Sequence, residues 1–186
     1  MRSPRRAQPL TVEALYTMPD DGRKYELEAG MLVAEPLPGF RHGRVMFVVA
    51  RILDAHVERH GLGMVIVGDA GFVLARAPDT VRGPDVAYVA QRRVAGQLDR
   101  SKAFEGAPDL AVEVLSPTNT PAEVHAKVGD YLAAGTRSVW VVDSERRTVA
   151  VYESLLSPRV LAEQDILVAG DVVPGFSVRV GELFEV

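Results

Sequence analysis

At 186 residues the chain is long enough to bury a sizeable core and suits one domain. Its 47% hydrophobic content excludes wholesale disorder, and no run approaches the roughly 18 apolar residues of a membrane helix. The absence of cysteine excludes a disulfide framework, a thiolate nucleophile and a cysteine zinc site, while a net charge of -4 argues against a protein that coats nucleic acid nonspecifically.

The first ten residues are basic and lack the apolar segment of a secretory signal, so they read as a flexible tail on a cytoplasmic protein, with the domain proper over 11–186. Thr11 is a good N-cap for a short helix that ends before Pro19. Lys24–Glu28 and Met31–Glu35 read as strands of a hairpin about Ala29-Gly30, and Pro36 to Gly39 breaks the pattern. Val45, Val48, Val49, Ile52, Leu53 and Val57 recur at helical spacing, which predicts a helix over 41–60 stopped by Gly61. Strands are expected at 62–67 and 71–75, a loop from Ala77 to Gly83, and a strand from Pro84 to Val89. Residues 91–107 read as irregular and polar. Leu110–Leu115 is almost continuously apolar, as in a strand covered on both faces.

The next helix has the clearest start signal: Thr120 at the N-cap, Pro121 at the first position and Glu123 completing a capping box. Val124, Val128, Tyr131 and Leu132 form its apolar stripe, and Gly135 ends it. Ser138–Asp143 and Thr148–Glu153 follow as strands, then short strands and a helical turn near Gly181–Phe184. This order predicts a single α/β domain, a mixed sheet with helices packed on it.

Glu113 interrupts the apolar run, where an unpaired carboxylate costs several kcal/mol once buried. It therefore needs a cation, a basic partner or a proton; a salt bridge at a strand end is the plainer reading. Asp85 enters an apolar strand from Gly83-Pro84 and reads, taken alone, as a turn or capping aspartate. Two carboxylates about 5 Å apart repel by roughly 3 kcal/mol at an effective dielectric near 20, so two strands bring them together profitably around a divalent cation. Oxygen ligands without cysteine point to Mg²⁺ or Mn²⁺. Lys127, one of three lysines, flanks the helix stripe and is placed either to reach such a site or to snorkel along the core edge. His42 points with Val45 and Val49 toward the sheet, as a core histidine or a site neighbour. His56 and His60, four apart, read as helix-end histidines rather than ligands. Arg41, Arg44, Arg51 and Arg59 project within an arc of about 80°, a stripe able to meet phosphates or to pair with Asp54 and Glu58. No aromatic-rich platform for single strands is apparent.

In chain order, Tyr25-Glu26-Leu27 with Gly30, His42 after its Pro/Gly loop, Gly83-Pro84-Asp85 and Pro108-Asp-Leu-Ala-Val-Glu113-Val-Leu-Ser-Pro117 form one pattern. It continues through Lys127, Tyr131 and Gly135 at four-residue steps and then Val139-Trp-Val-Val-Asp143. Over residues 11–155 the pattern resembles the Uma-two type of restriction-endonuclease-like protein, within the PD-(D/E)XK nuclease superfamily. The resemblance implies a four-stranded mixed core sheet flanked by helices, and Mg²⁺- or Mn²⁺-dependent hydrolysis of phosphodiester bonds in DNA by a homodimer. By the same resemblance Asp85 and Glu113 hold the metal with the backbone carbonyl of Val114, and Glu26 is an additional glutamate on the metal side. One departure stands out: the lysine expected two residues after the acid is Leu115, which makes Lys127 its substitute. The alternatives are a nucleic-acid- or partner-binding protein that keeps the fold with little catalysis, and a hydrolase of RNA or another phosphate ester.

Overall fold

The computed structural model describes residues 9–68, 70–96 and 102–185. Most of the expected tail lies outside that range, but Leu10 is anchored, its N–H donating to the carbonyl of Gly30 at 2.8 Å. Helix α1 (Val12–Tyr16) starts at Thr11, whose side chain accepts from the Ala14 N–H. Strands β1 (Lys24–Glu28) and β2 (Met31–Glu35) form the expected hairpin, and Ala29 and Gly30 turn it at φ 48° and 78°. The left-handed region suits a two-residue turn whose twist matches its strands.

Helix α2 (Phe40–His60) is closed by Gly61 in the left-handed conformation at φ 61°. Strand β3 (Gly63–Val67) then joins one sheet, whereas β4 (Phe72–Ala75) joins another. Between Ala77 and Gly83, where a loop is expected, the chain forms β5 (Thr80–Arg82), paired with both β1 and β4. Three residues carry too little alternation to register as a strand in the sequence; all three are buried because neighbours on either side cover them. After β6 (Val86–Ala90), the stretch expected to be irregular holds the short α3 (Gln91–Val94) and β7 (Phe104–Glu105).

Strand β8 (Leu110–Val114) pairs antiparallel with β6 and parallel with β9 (Ser138–Asp143), the parallel step being bridged by α4 (Pro121–Ala133). A parallel pair needs such a crossover. Strand β10 (Thr148–Tyr152) and β11 (Arg159–Leu161) extend the far edge. The mixed sheet thus has six strands, β11-β10-β9-β8-β6-β3, where the family resemblance implies four. A second sheet runs β2-β1-β5-β4-β7, and β12 (Ile166–Val168) pairs with β13 (Ser177–Arg179) before a 3₁₀ turn at Val180–Phe184. The additional strands include the end hairpin β10–β11, whose residues Val149, Val151 and Leu161 cover the core that continues into the C-terminal segment.

The near-continuous apolar character of β8 follows from its position. Leu110, Val112 and Val114 face Val45, Val49 and Leu53 of α2 together with Trp140, while Ala111 on the other face meets Val128 and Tyr131 of α4. The chain is therefore a single mixed α/β domain with the central sheet clamped between two helices. Helix α4 carries the expected capping box, Thr120 accepting from the Glu123 N–H at 3.3 Å and Glu123 accepting from the Thr120 N–H at 2.8 Å. Replacing Thr120 with alanine removes one half of it. The expected loss is about 1 kcal/mol, read as a melting temperature lower by roughly 2–4 °C in a domain of this size.

Candidate active site

The register of the central sheet brings the two nominated carboxylates together. Val86 of β6 lies opposite Val112 of β8, so one further residue along the ladder sets Asp85 beside Glu113, with side chains on one face. Both line a cavity of about 650 Å³, shared with Lys127 of α4, His42 of α2 and Val114. Asp85 is held firmly: its Oδ2 accepts the Val114 N–H at 2.7 Å and lies 3.2 Å from His42 Nε2. Burial alone would lower the pKa of His42, but the hydrogen bond and charge of Asp85 outweigh it and raise the imidazole above its ordinary value. Glu113 Oε1 accepts from the Tyr131 hydroxyl at 2.8 Å. Burial pushes Glu113 up to about 7, helped by the charges of Asp85 and Glu26 and opposed by Lys127 and the Tyr131 hydroxyl.

Beneath the cavity lies a buried ion network. Arg82 on β5 is only 2% exposed; its guanidinium reaches Glu26 Oε2 at 3.0 Å and Asp130 Oδ2 at 2.6 Å. Glu26 on β1 also accepts the Gly83 N–H through Oε1 at 2.9 Å. Lys127 Nζ lies 3.2 Å from Glu26 Oε2 and 3.0 Å from Glu35 Oε1. Desolvation works against the charged lysine, yet the carboxylates of Glu113, Glu26 and Glu35 prevail and hold its pKa above the ordinary value. Glu26 is in turn held below its ordinary range: burial opposes this, and Lys127, the Gly83 N–H and Arg82 overcome it. Lys127 therefore stays protonated at any working pH.

The structure brings Asp85, Glu113, Lys127, Val114 and His42 to one cavity and seats Glu26 under Lys127. Arg41, Arg44 and Arg51 lie along α2, which enters the site through His42; none of them pairs with a carboxylate among the described residues. The stripe is thus free of the expected partners Asp54 and Glu58. His56 and His60 are committed to backbone carbonyls, those of Pro174 at 2.9 Å and His56 at 2.8 Å. Three partners of the site were not singled out by sequence: Arg82, Glu35 and Asp130. Arg82 lay in an expected loop. Tyr131 belongs to the expected pattern, four residues from Lys127 on one helix face, but its hydroxyl contact with Glu113 was not foreseen.

The donor set suits a hard cation. Asp85, Glu113 and the Val114 carbonyl offer only oxygen, and Asp85 Oδ1 and Glu113 Oε2 accept no hydrogen bond among the described residues. No group of three or more His, Asp or Glu side chains among the described residues is arranged to hold a metal ion. Two carboxylates completed by a carbonyl, water and a substrate phosphate are, however, how Mg²⁺ is commonly held.

A family model described as "Putative restriction endonuclease", Uma2, matches residues 12–181. The chain belongs to the Uma2 family. Its fold is similar to a crystal structure described as a "putative nuclease belonging to DUF820" from Anabaena variabilis. The TM-score is 0.81 at 18% identity, over 95% of this chain and 98% of that one. No curated protein matches the sequence. In this Uma2 chain no helix among the described residues is long and apolar enough to cross a membrane.

The raised pKa of Glu113 makes a stability prediction. Its folded value, about 7, lies above the ordinary 4.5, so the native state prefers the proton and loses stability as pH rises from about 4.5 through 7. Glu113→Gln keeps an acceptor for Tyr131 and removes the charge. Its melting temperature should exceed the wild-type value by roughly 5 °C or more at pH 8, with the difference vanishing near pH 4, as followed by circular dichroism.

Proposed function

We propose that this Uma2 protein is a divalent-metal-dependent nuclease that hydrolyses phosphodiester bonds in DNA, with Asp85, Glu113 and Lys127 at its centre. The observation that carries the reading is the convergence of these three side chains, from the entry to β6, from β8 and from α4, on one cavity. The family's description and the nuclease-like fold support it.

Asp85, Glu113 and the backbone carbonyl of Val114 would hold the cation, Mg²⁺ or Mn²⁺ by the oxygen-only donor set. Such a cation supplies acidification of water and neutralisation of phosphate charge. The Val114 N–H and His42 both hold Asp85 through Oδ2 and so fix the orientation of its carboxylate at the cavity. Lys127 stays charged and presents a fixed ammonium to the phosphate, where preorganised charge stabilises the transition state without moving. Glu26 acts through Lys127: with Glu35 it anchors the ammonium, and with Arg82 and Asp130 it ties α4 to β1 and β5. Arg41, Arg44 and Arg51 would contact backbone phosphates outside the cavity. Cutting both strands of a duplex would call for two copies, which motivates a homodimer.

The test is nicking of supercoiled plasmid with Mg²⁺ or Mn²⁺ and with EDTA. Metal-dependent nicking by wild type should vanish in Asp85→Ala and Glu113→Ala and fall by about two orders of magnitude or more in Lys127→Met, the loss typical of one electrostatic contact. Undiminished nicking by both carboxylate variants would overturn the reading. Metal-independent DNA binding with no nicking would favour a binding protein that retains the fold.

A further inference from the structure

We infer that the outer face of α2 is a track for unpaired nucleotides leading to the cavity, so that the substrate is a nucleic acid with a single-stranded segment. The proposal rests on the nuclease reading above and sharpens its substrate class.

The face is built of alternating rings and guanidinia. At 100° per residue, Phe40, Arg44, Phe47 and Arg51 fall within about 60° of one another, over roughly 16 Å of helix. The two rings are far from buried: Phe40 is 92% exposed and Phe47 53%. Arg44 lies over the Phe47 ring, 5.6 Å from its centroid, and no described carboxylate pairs with Arg44 or Arg51. From Phe40 to Leu53 the helix holds three arginines and no acidic residue. The charge therefore calls for a polyanion, and the rings call for flat apolar partners.

Unpaired nucleotides offer both at once. Single-strand binders combine basic residues that track the phosphates with aromatic rings on which bases stack. A base inside a duplex has both faces occupied and cannot serve. Continuity with the site decides the direction: Leu37, 94% exposed, lines the cavity that holds Asp85 and Glu113, and Phe40 lies between it and His42 of the same cavity. No such platform is expected from the sequence, where the predicted helix begins at residue 41 and its apolar stripe does not include Phe47.

The experiment measures binding in EDTA by fluorescence anisotropy, with a labelled oligothymidine of about fifteen nucleotides, the matching oligouridine and a duplex of equal length. Phe40→Ala/Phe47→Ala should weaken oligothymidine binding by roughly five- to a hundredfold per ring, as expected for lost base stacking, and change duplex binding less than about twofold. Arg44→Ala/Arg51→Ala should weaken both and flatten the salt dependence. Phe40→Trp adds a reporter, since the chain's single tryptophan, Trp140, is buried, and its emission should be quenched by oligothymidine. Oligouridine bound as tightly as oligothymidine supports the same stacking chemistry with RNA as a source. Unchanged oligothymidine binding by the double phenylalanine variant overturns the inference. So does a shift in its sedimentation from dimer to monomer with binding intact, which would make the face an interface between copies. If Asp85 variants still nick plasmid while the phenylalanines control binding, the nuclease assignment fails and the track stands.

Discussion

Two carboxylates side by side on adjacent strands are the constraint around which this molecule is arranged. Antiparallel pairing of β6 with β8 sets Asp85 against Glu113 on one face, and at about 5 Å like charges cost roughly 3 kcal/mol at an effective dielectric near 20. Each is therefore given its own support. Asp85 takes a backbone N–H and an imidazole, and Glu113 takes a phenol and is pushed toward neutrality. With its pKa raised to about 7, the ionised acid costs stability near neutral pH.

The buried network under the cavity answers a second problem, that of holding a lysine whose burial strips it of much of its water. Lys127 has Glu26 and Glu35 as anchors, and Glu26 is itself neutralised by Arg82. The network spans β1, β2, β5 and α4, so the second sheet exists at this point to present countercharge to a helix from the first. Removing one partner of such a set leaves an uncompensated buried charge. Residue 115, two after Glu113, is a leucine, and the ammonium at this cavity is that of Lys127 on α4, held by these side chains.

Much of this was legible in the sequence where a local rule operates. The hairpin about Ala29-Gly30, the left-handed stop at Gly61 and the Thr120 capping box are each set by residues within one turn of chain, and the structure keeps them. Glu113 stood out because its neighbours are apolar, and Asp85 because glycine and proline precede it. What did not show depends on distant pairing. β5 is a strand because β1 and β4 flank it, so Arg82 went unnoticed. Tyr131 reads as core until its hydroxyl is seen at Glu113. Helical spacing sets Phe40 and Phe47 off the buried stripe of α2, but how far they stay exposed depends on what packs there.

The central claim is that the Asp85–Glu113 pair is built to receive a divalent cation, and direct titration with Mn²⁺ followed by electron paramagnetic resonance tests it most simply. The account predicts a site that is lost in Asp85→Ala and in Glu113→Ala and kept in Thr120→Ala. Mn²⁺ bound with the same affinity and stoichiometry by both carboxylate variants would contradict it.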